Sequence, residues 1–183
     1  MQTLTSIVEN ESAKVGLLLN GGKCKVMVSE NWVDDTDIQA AGTHIEVVED
    51  FCYLGSYISN NSSCEKDMKV RIGKAAASFA RLSNIWNSKT VSQTVKVKLY
   101  ETLIMSILLY SAELWPITVT AMKKLEAVHQ RSQRKLLGIT WKDKVKNEEV
   151  RRRTGLQKVE TIIKERRLRW LGHVTRMGSE RIP

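Results

Sequence analysis

The sequence has few cysteines, and their spacing excludes two common uses. Cys24, Cys52 and Cys64 form no C-x-x-C pair and come in an odd number. A disulfide framework is therefore not expected, and an intracellular compartment, nuclear or cytoplasmic, fits best. A zinc site that joins them to His44 matches none of the usual ligand spacings. We expect no metal site on this chain.

Long apolar runs are also lacking. The most apolar stretch, Leu103 to Tyr110, is far shorter than the ~20 residues that a membrane-spanning helix needs. The first 15 residues carry neither a basic start nor an apolar centre, so we expect no signal peptide and no membrane partner. The chain has 183 residues, of which 42% are hydrophobic and 27% are charged. This composition predicts a packed core.

Positive charge is scarce in the first third of the chain and abundant after it. Residues 1–65 hold three Lys and Arg against ten Asp and Glu, a formal −7, and residues 66–183 hold 26 against ten, a formal +16. A segment this basic attracts phosphate backbones or anionic membranes. Because the cations alternate with aromatic and aliphatic residues on predicted helices, nucleic acid is the expected partner, and no small-molecule substrate is indicated. A solvated basic surface without a specific purpose is the alternative.

The first part of the chain has β-strand patterns after a short helix. An amphipathic helix is predicted over Thr3–Lys14, and Gly21-Gly22 with the strand Lys23–Ser29 predicts a hairpin. The same glycines lack the spacing of a phosphate-binding loop. His44–Val48 and Phe51–Ile58 are predicted to pair as a small antiparallel unit.

Asp34-Asp35 is the one adjacent aspartate pair that could hold Mg²⁺ for phosphoryl transfer. The polar residues that follow it do not form the apolar strand that would fix such a pair. We therefore predict an exposed acidic loop and assign no catalytic residue.

A basic amphipathic helix is predicted from Ser62 to about Trp86. Ser62 and Glu65 have the spacing of a capping box, and Gly73 interrupts the helix at a cost of ~1 kcal/mol, which favours close approach of a ligand to its backbone. The face opposite the apolar stripe carries Lys66, Lys74 and Arg81. These cations span ~22 Å at 1.5 Å per residue, enough to follow several phosphates.

The remaining residues predict a helical bundle. A central helix over Ser92–Trp115 is ended by Pro116. A helix over Thr120–Leu137 ends at Gly138, with Arg131, Arg134 and Lys135 facing outward. His129 and His173 are interpreted as packed or surface residues. Four tryptophans are expected to be core anchors: Trp86, Trp115, Trp141 and Trp170.

The basic end of the chain has a second interpretation. After a basic loop, Trp141–Lys146, a short helix to Thr154 and a last helix over Val159–Met177 flank Gly155. The last helix carries Lys164, Arg166, Arg167, Arg169 and Arg176. Helix, glycine turn and basic helix together also suit a helix-turn-helix DNA-binding protein. A domesticated protein-interaction module is a third hypothesis.

Several motifs in order resemble the C-terminal part of the reverse transcriptase of non-LTR (LINE-type) retrotransposons. The resemblance covers about residues 10–177. The matching motifs are Gly16-Leu17 through Asn20 to Lys23-Cys24-Lys25-Val26-Met27, Phe51-Cys52-Tyr53-Leu54-Gly55-Ser56, Arg71-Ile72-Gly73-Lys74-Ala75, Leu108-Leu109-Tyr110 to Glu113-Leu114-Trp115, Leu125-Glu126, His129-Gln130-Arg131, Leu137-Gly138-Ile139 and Leu168-Arg169-Trp170-Leu171-Gly172-His173-Val174.

The resemblance implies an α+β fold in three parts. Residues 1–60 would be the end of a palm subdomain with a primer-grip-like hairpin, 61–137 a helical thumb, and 138–183 a basic helical segment after the thumb. The implied partner is an RNA–DNA hybrid or DNA. The implied contacts are Tyr53, Leu54 and Gly55 at the primer end, Lys66, Lys74 and Arg81 on the backbone, and Arg131, Arg134, Lys135, Arg151, Arg152, Arg153, Arg166, Arg167 and Arg169 along an extended positive track.

The chain departs from the family where catalysis would occur. The metal-binding aspartates of such polymerases have no counterpart here, so no cofactor is expected on this chain and Mg²⁺ would belong to the missing palm residues. The chain alone is expected to position template and primer without catalysing nucleotide addition, with the missing polymerase parts as a further partner. The family also has a Pro near Ser106 and a Gly near Ser111, so a straighter central helix is expected.

Overall fold

The computed structural model describes residues 1–28 and 37–178. The chain divides into two compact units, Met1–Ser63 and Cys64–Pro183. The predicted α+β class is confirmed, because short sheets build the first unit and helices build the second. The acidic loop predicted at Asp34-Asp35 and the end of the predicted strand at Ser29 lie outside the described residues. The three-part division at 60 and 137 stays a prediction.

The described part of the first unit combines one long helix with short strand pairs. Helix α1 covers Gln2–Lys14, close to its predicted bounds. The paired strands are β1 (Lys25–Val26) parallel to β4 (Glu46–Val47), β2 (Gln39–Ala40) antiparallel to β3 (Thr43–His44), and β5 (Asp50–Tyr53) antiparallel to β6 (Ser56–Ser59).

The β5–β6 hairpin corrects the predicted pairing of His44–Val48 with Phe51–Ile58. The chain reverses inside the second of these segments, where Leu54 and Gly55 have φ of +49° and +80°. Two consecutive positive φ values give a tight turn whose twist matches that of the flanking strands. Phe51 therefore lies opposite Ile58 across the hairpin, and β4 pairs with β1 instead.

The hairpin predicted around Gly21 is also wrong. Asn20 Oδ1 accepts a hydrogen bond from the Lys23 amide at 3.2 Å and caps a 3₁₀ turn over Gly21–Lys23. Gly21 is buried, and a Cβ on it would lie 2.5 Å from the Ala40 carbonyl oxygen. This glycine is needed for close packing against β2 rather than for a strand reversal.

The described part of the second unit consists of helices and helical turns joined by loops. The helices predicted over Thr120–Leu137 and Val159–Met177 are observed within two residues of their predicted bounds. The elements are α2 (Glu65–Arg81), α3 (Ser83–Asn87), α4 (Gln93–Leu99), a π-helical segment (Tyr100–Ile104), α5 (Met105–Leu108), a 3₁₀ turn (Ala112–Leu114), α6 (Val119–Leu136), a second 3₁₀ turn (Trp141–Asp143), α7 (Asn147–Thr154) and α8 (Val159–Thr175).

Helix α2 does not begin with the predicted capping box. Ser62 has a φ of +56°, and the residue before the helix is Cys64. Asn61 Oδ1 accepts a hydrogen bond from the Ser63 amide at 2.9 Å, which stabilises a turn in place of an earlier helix start. The helix also ends at Arg81, so Trp86 lies on the separate α3.

The single central helix predicted over Ser92–Trp115 is also wrong. It contains the π-helical segment Tyr100–Ile104 and ends at Leu108, well before Pro116. Ser111 then adopts a φ of +60°, a left-handed conformation that glycine adopts more easily. The helix therefore ends before Ser111, and its expected straightness stays a prediction.

Aromatic rings form the centre of the second unit. Phe79 stacks on Trp86 at a centroid distance of 5.0 Å and meets the edge of Tyr100 at 6.1 Å. Trp86 and Trp115 are buried, as predicted. The core assignment of Trp141 and Trp170 is wrong, since these residues are 83% and 44% exposed.

Candidate nucleic-acid interface

The three cations predicted to bind phosphates lie on one side of α2. Lys66, Lys74 and Arg81 are exposed, and at ~100° per residue they fall within an arc of roughly 80°. The apolar residues of the same helix, among them Met68 and Phe79, are buried in the core. The helix therefore presents its cations to solvent.

Lys74 and Arg81 border a groove between α2 and α5 with a volume of about 520 Å³. The described side chains that line this groove include no carboxylate. Within the described part of the chain, neither cation has an ion pair or a hydrogen bond. The lining residues are Arg71, Lys74, Ala77, Ser78, Arg81, Ser106, Ile107 and Tyr110. We call this surface the α2 groove.

Gly73 is exposed on α2, one residue before Lys74. A Cβ on Gly73 would meet no described atom within 4 Å. Packing inside the second unit therefore does not explain this glycine. Its bare backbone is compatible with the predicted approach of a ligand to the helix.

Arg71 is a groove residue whose role the sequence analysis missed. Its Nε lies 3.6 Å from Asp67 Oδ1 within the same helix, and its guanidinium carbon lies 4.2 Å from the Tyr110 ring centroid. Asp67 Oδ2 also accepts a hydrogen bond from Trp115 Nε1 at 2.9 Å. The i, i+4 spacing of Asp67 and Arg71 is the sequence signal that could have indicated this pair. The contact with Asp67 fixes the position of the Arg71 side chain at the base of the α2 groove.

The cations predicted on α6 divide into two kinds. Arg131 and Lys135 are exposed at the rim of a mainly apolar cavity of about 250 Å³ between α2, α5 and α6. Lys135 Nζ lies 5.7 Å from the Phe79 ring centroid. Arg134 is instead used inside the fold, since its Nη2 donates hydrogen bonds to the Val145 carbonyl at 2.7 Å and to Asn147 Oδ1 at 2.8 Å.

Two predicted arginines of α8 contact the backbone of the segment after α5. Arg166 Nη1 donates to the Leu109 carbonyl at 2.5 Å. Arg167 donates to the carbonyls of Glu113 at 3.2 Å and Trp115 at 2.5 Å. Carbonyls beyond a helix end have no partner within the helix. The guanidinium groups add a second donor to the Leu109 and Trp115 carbonyls, which also accept backbone hydrogen bonds, so their first role is structural.

Arg169 lines an open basic pocket of about 560 Å³ on α8. The other lining residues are Glu113, Arg166, Trp170, His173 and Arg176. Arg166 and Arg169 therefore both border this pocket, whereas Arg167 is not among its lining residues.

The arginine run of α7 is neutralised by acids on neighbouring turns. Arg152 and Arg153 each lie 2.7 Å from a Glu149 carboxylate oxygen. Arg151 lies 3.4 Å from Glu148 and 3.6 Å from Glu126. The hydrogen bonds from Arg152 and Arg153 lower the pKa of Glu149 to about 2. Much of the formal charge of this run is thus already paired.

The residues predicted to seat a primer end lie at the turn of the β5–β6 hairpin in the first unit. Tyr53 and Leu54 are 58% and 75% exposed, and Gly55 forms the turn with Leu54. An exposed aromatic and an exposed aliphatic side chain on a tight turn can contact a ligand from solvent.

His129 is a packed residue, as predicted. Its Nδ1 lies 2.8 Å from the Tyr100 hydroxyl and its Nε2 lies 3.1 Å from the Gln157 carbonyl. Burial lowers the pKa of His129. The ring joins α6 to the start of α8 and to the π-helical segment, so it holds the bundle together.

Among the described residues, no helix has the length and hydropathy to cross a membrane. The same residues contain no group of three or more His, Cys, Asp or Glu side chains suited to hold a metal ion.

Comparison with known proteins finds similarity to a transposon-derived protein. The chain is 26% identical over 177 residues to an uncharacterised transposon-derived protein of Caenorhabditis elegans. The match covers 92% of this chain, which spans 63% of the length of that relative. No family model and no solved structure matches the chain.

Proposed function

We propose that the chain binds the phosphate backbone of nucleic acid without reading its sequence, through the α2 groove. Two exposed cations, Lys74 and Arg81, line this groove beside the hydroxyl group of Ser78. Arg71 also lines it and is paired with Asp67. Cations and hydroxyl groups are the side chains that contact phosphate oxygens, and such contacts position a protein without specifying a base sequence. The α2 groove is the observation that carries this proposal.

We further propose that this binding serves a retrotransposon RNA-directed DNA polymerase by positioning template and primer. The order of the motifs and the transposon-derived relative support this assignment. Tyr53, Leu54 and Gly55 would contact the primer end from their exposed hairpin. The Mg²⁺ of nucleotide addition would be held by residues elsewhere in the polymerase.

The helix-turn-helix hypothesis receives less support from the same contacts. Helices α7 and α8 do flank Gly155, which has a φ of +71°. However, Arg152 and Arg153 are paired with Glu149, and Arg167 contacts backbone carbonyls. A recognition helix needs side chains available to base edges.

The test is binding of the whole chain to a blunt RNA–DNA hybrid across a salt series. Counterion release predicts that log affinity falls with log salt at a slope of about −0.9 per phosphate contacted, so about −4 to −6 for some five contacts. Lys74→Glu should weaken binding roughly ten- to hundredfold, because a charged hydrogen bond contributes about 1.5–3 kcal/mol.

Lys158→Glu is the matched control, since it makes the same charge change at an exposed lysine outside the α2 groove. It should leave affinity within about twofold at the salt concentration of the cell, where distant charges are screened. A flat salt response of the parent chain would exclude nucleic acid as the partner. Equal losses for Lys74→Glu and Lys158→Glu would exclude the α2 groove as the contact.

A further inference from the structure

The loop between α6 and α7 carries the most exposed aromatic side chain among the described residues. Trp141 is 83% exposed, and Lys142, Lys144 and Lys146 follow it within five residues, all exposed. A single exposed apolar residue is ordinary on a protein surface. The backbone that holds Trp141 and the charges around it distinguish this position.

The turn that presents Trp141 is held at its base by Asp143. Asp143 Oδ2 accepts hydrogen bonds from the Thr140 amide at 2.6 Å and from Thr140 Oγ1 at 2.8 Å. These hydrogen bonds lower the pKa of Asp143. The carboxylate is thus ionised at neutral pH and engaged within the turn.

The far side of the loop is anchored to α6. Arg134 donates hydrogen bonds to the Val145 carbonyl and to the Asn147 side chain. Both ends of the segment between Thr140 and Asn147 are therefore tied down. An exposed indole on a fixed backbone loses little conformational entropy when a flat ligand stacks on it.

We propose that Trp141 is a stacking platform for an unpaired base of single-stranded nucleic acid, with the neighbouring lysines on its phosphates. Aromatic rings beside cations are how proteins hold single strands without sequence preference. This inference rests on the proposed function for its class of ligand, and adds a second contact site outside the α2 groove.

An anionic membrane surface is the other ligand that tryptophan and lysine suit. Membrane association of this kind requires a continuous apolar face. The residues beside Trp141 are Thr140, Lys142, Asp143 and Lys144, and all four are exposed. One indole among polar neighbours offers too little apolar surface, so the base of a nucleic acid is the favoured occupant.

The experiment compares three RNA–DNA hybrids that differ at one end. One is blunt, one carries a short single-stranded extension, and one carries an extension of equal length without bases. The parent chain should bind the base-bearing extension more tightly than the other two. Trp141→Ala should remove this gain, which we expect to be roughly five- to hundredfold. Trp141→Phe should retain most of it, because the aromatic ring stays.

Leu168→Ala is the matched control, since Leu168 is an exposed apolar residue of the same unit, at 68%. It should leave binding of all three hybrids unchanged. Because Trp141 is almost fully exposed, Trp141→Ala should fold like the parent, which circular dichroism and urea unfolding would check.

Four results would overturn the stacking role. They are an equal gain from the extension without bases, no gain from the base-bearing extension, a gain that Trp141→Ala keeps, and Trp141-dependent binding to vesicles of anionic phospholipid without any gain from the extension. In each case, binding of the blunt hybrid through the α2 groove would still support the proposed function. Conversely, binding of the base-bearing extension with no binding of the blunt hybrid would contradict the α2 groove and leave Trp141 as the contact.

Discussion

The cations of α2 and the arginines of α7 and α8 carry charge of the same sign in different surroundings. Lys74 and Arg81 face the α2 groove with no ion pair or hydrogen bond in the described part of the chain. Arg152 is paired with Glu149, and Arg167 contacts backbone carbonyls. Formal charge therefore does not measure the charge available to a ligand. Guanidinium groups, with five donors in a fixed fork, suit such internal contacts well.

The largest loss of stability should come from changing Asp67, whose buried carboxylate lies beside Arg71 at the base of the α2 groove. Asp67→Ala removes the carboxylate beside Arg71 and the acceptor of the Trp115 indole. Leaving one partner of a buried pair alone typically costs about 3–5 kcal/mol, so urea unfolding should show a loss of that size. Lys74→Met, on the exposed side of the same helix, should change stability by less than about 0.5 kcal/mol. Equal losses of stability for Asp67→Ala and Lys74→Met would contradict the distinction between the buried and the exposed side of α2.

Arg167→Met should weaken the fold and leave nucleic-acid binding nearly intact. It removes two hydrogen bonds from a charged donor to backbone carbonyls. We expect a loss of about 1–2 kcal/mol, since the site is partly open to solvent. Thermal or urea unfolding measures this loss of stability, and binding of the RNA–DNA hybrid measures any change in affinity. If binding fell and stability did not, Arg167 would belong with the groove cations.

Glu149→Gln should make the guanidinium groups of Arg152 and Arg153 available to bind phosphate. Without the carboxylate, Arg152 and Arg153 can contact phosphates, so affinity for the hybrid should rise severalfold and the salt slope should steepen by about 1. Because the pKa of Glu149 is depressed to about 2, the pairing in the parent is present above the ordinary pKa of a glutamate and is lost as the pH falls toward 2. An unchanged affinity would show that α7 lies away from the nucleic acid.

The smallest change in stability should come from Ser111, in the segment after α5 that the arginines of α8 contact. Ser111 has a left-handed φ, so Ser111→Gly should stabilise the chain by up to about 1 kcal/mol. Hybrid binding should not change. Ser111→Ala is the control, because it keeps the Cβ and the strain. A loss of stability in Ser111→Gly would mean that the serine side chain contributes more than its backbone strain costs.

Much of the helical framework follows from the sequence. The apolar period and end signals of α6 and α8 predict their bounds to within two residues. Helix α6 buries a clear stripe, whereas the buried residues of α8 are Val159 and Ile163. The α2 face is predictable because Lys66, Lys74 and Arg81 oppose Met68 and Phe79.

The wrong predictions concern segments whose structure is decided by local backbone geometry or by tertiary contacts. The reversal at Leu54-Gly55 splits an apolar run that looks like a single strand, and a positive φ at Leu54 has no strong sequence signal. The π-helical segment in the central helix also has no strong sequence signal. Whether an arginine binds a phosphate or a carbonyl depends on partners distant in sequence, as Arg166 and Leu109 illustrate.

The most direct test is the salt dependence of hybrid binding for three proteins: the parent, Lys74→Gln/Arg81→Gln and Arg152→Gln/Arg153→Gln. The two variants remove the same charge from the two regions. The first should flatten the slope of log affinity against log salt by about 2, because two phosphate contacts are lost, and the second should leave it unchanged. Equal slopes for the two variants would contradict a contact made by the α2 groove.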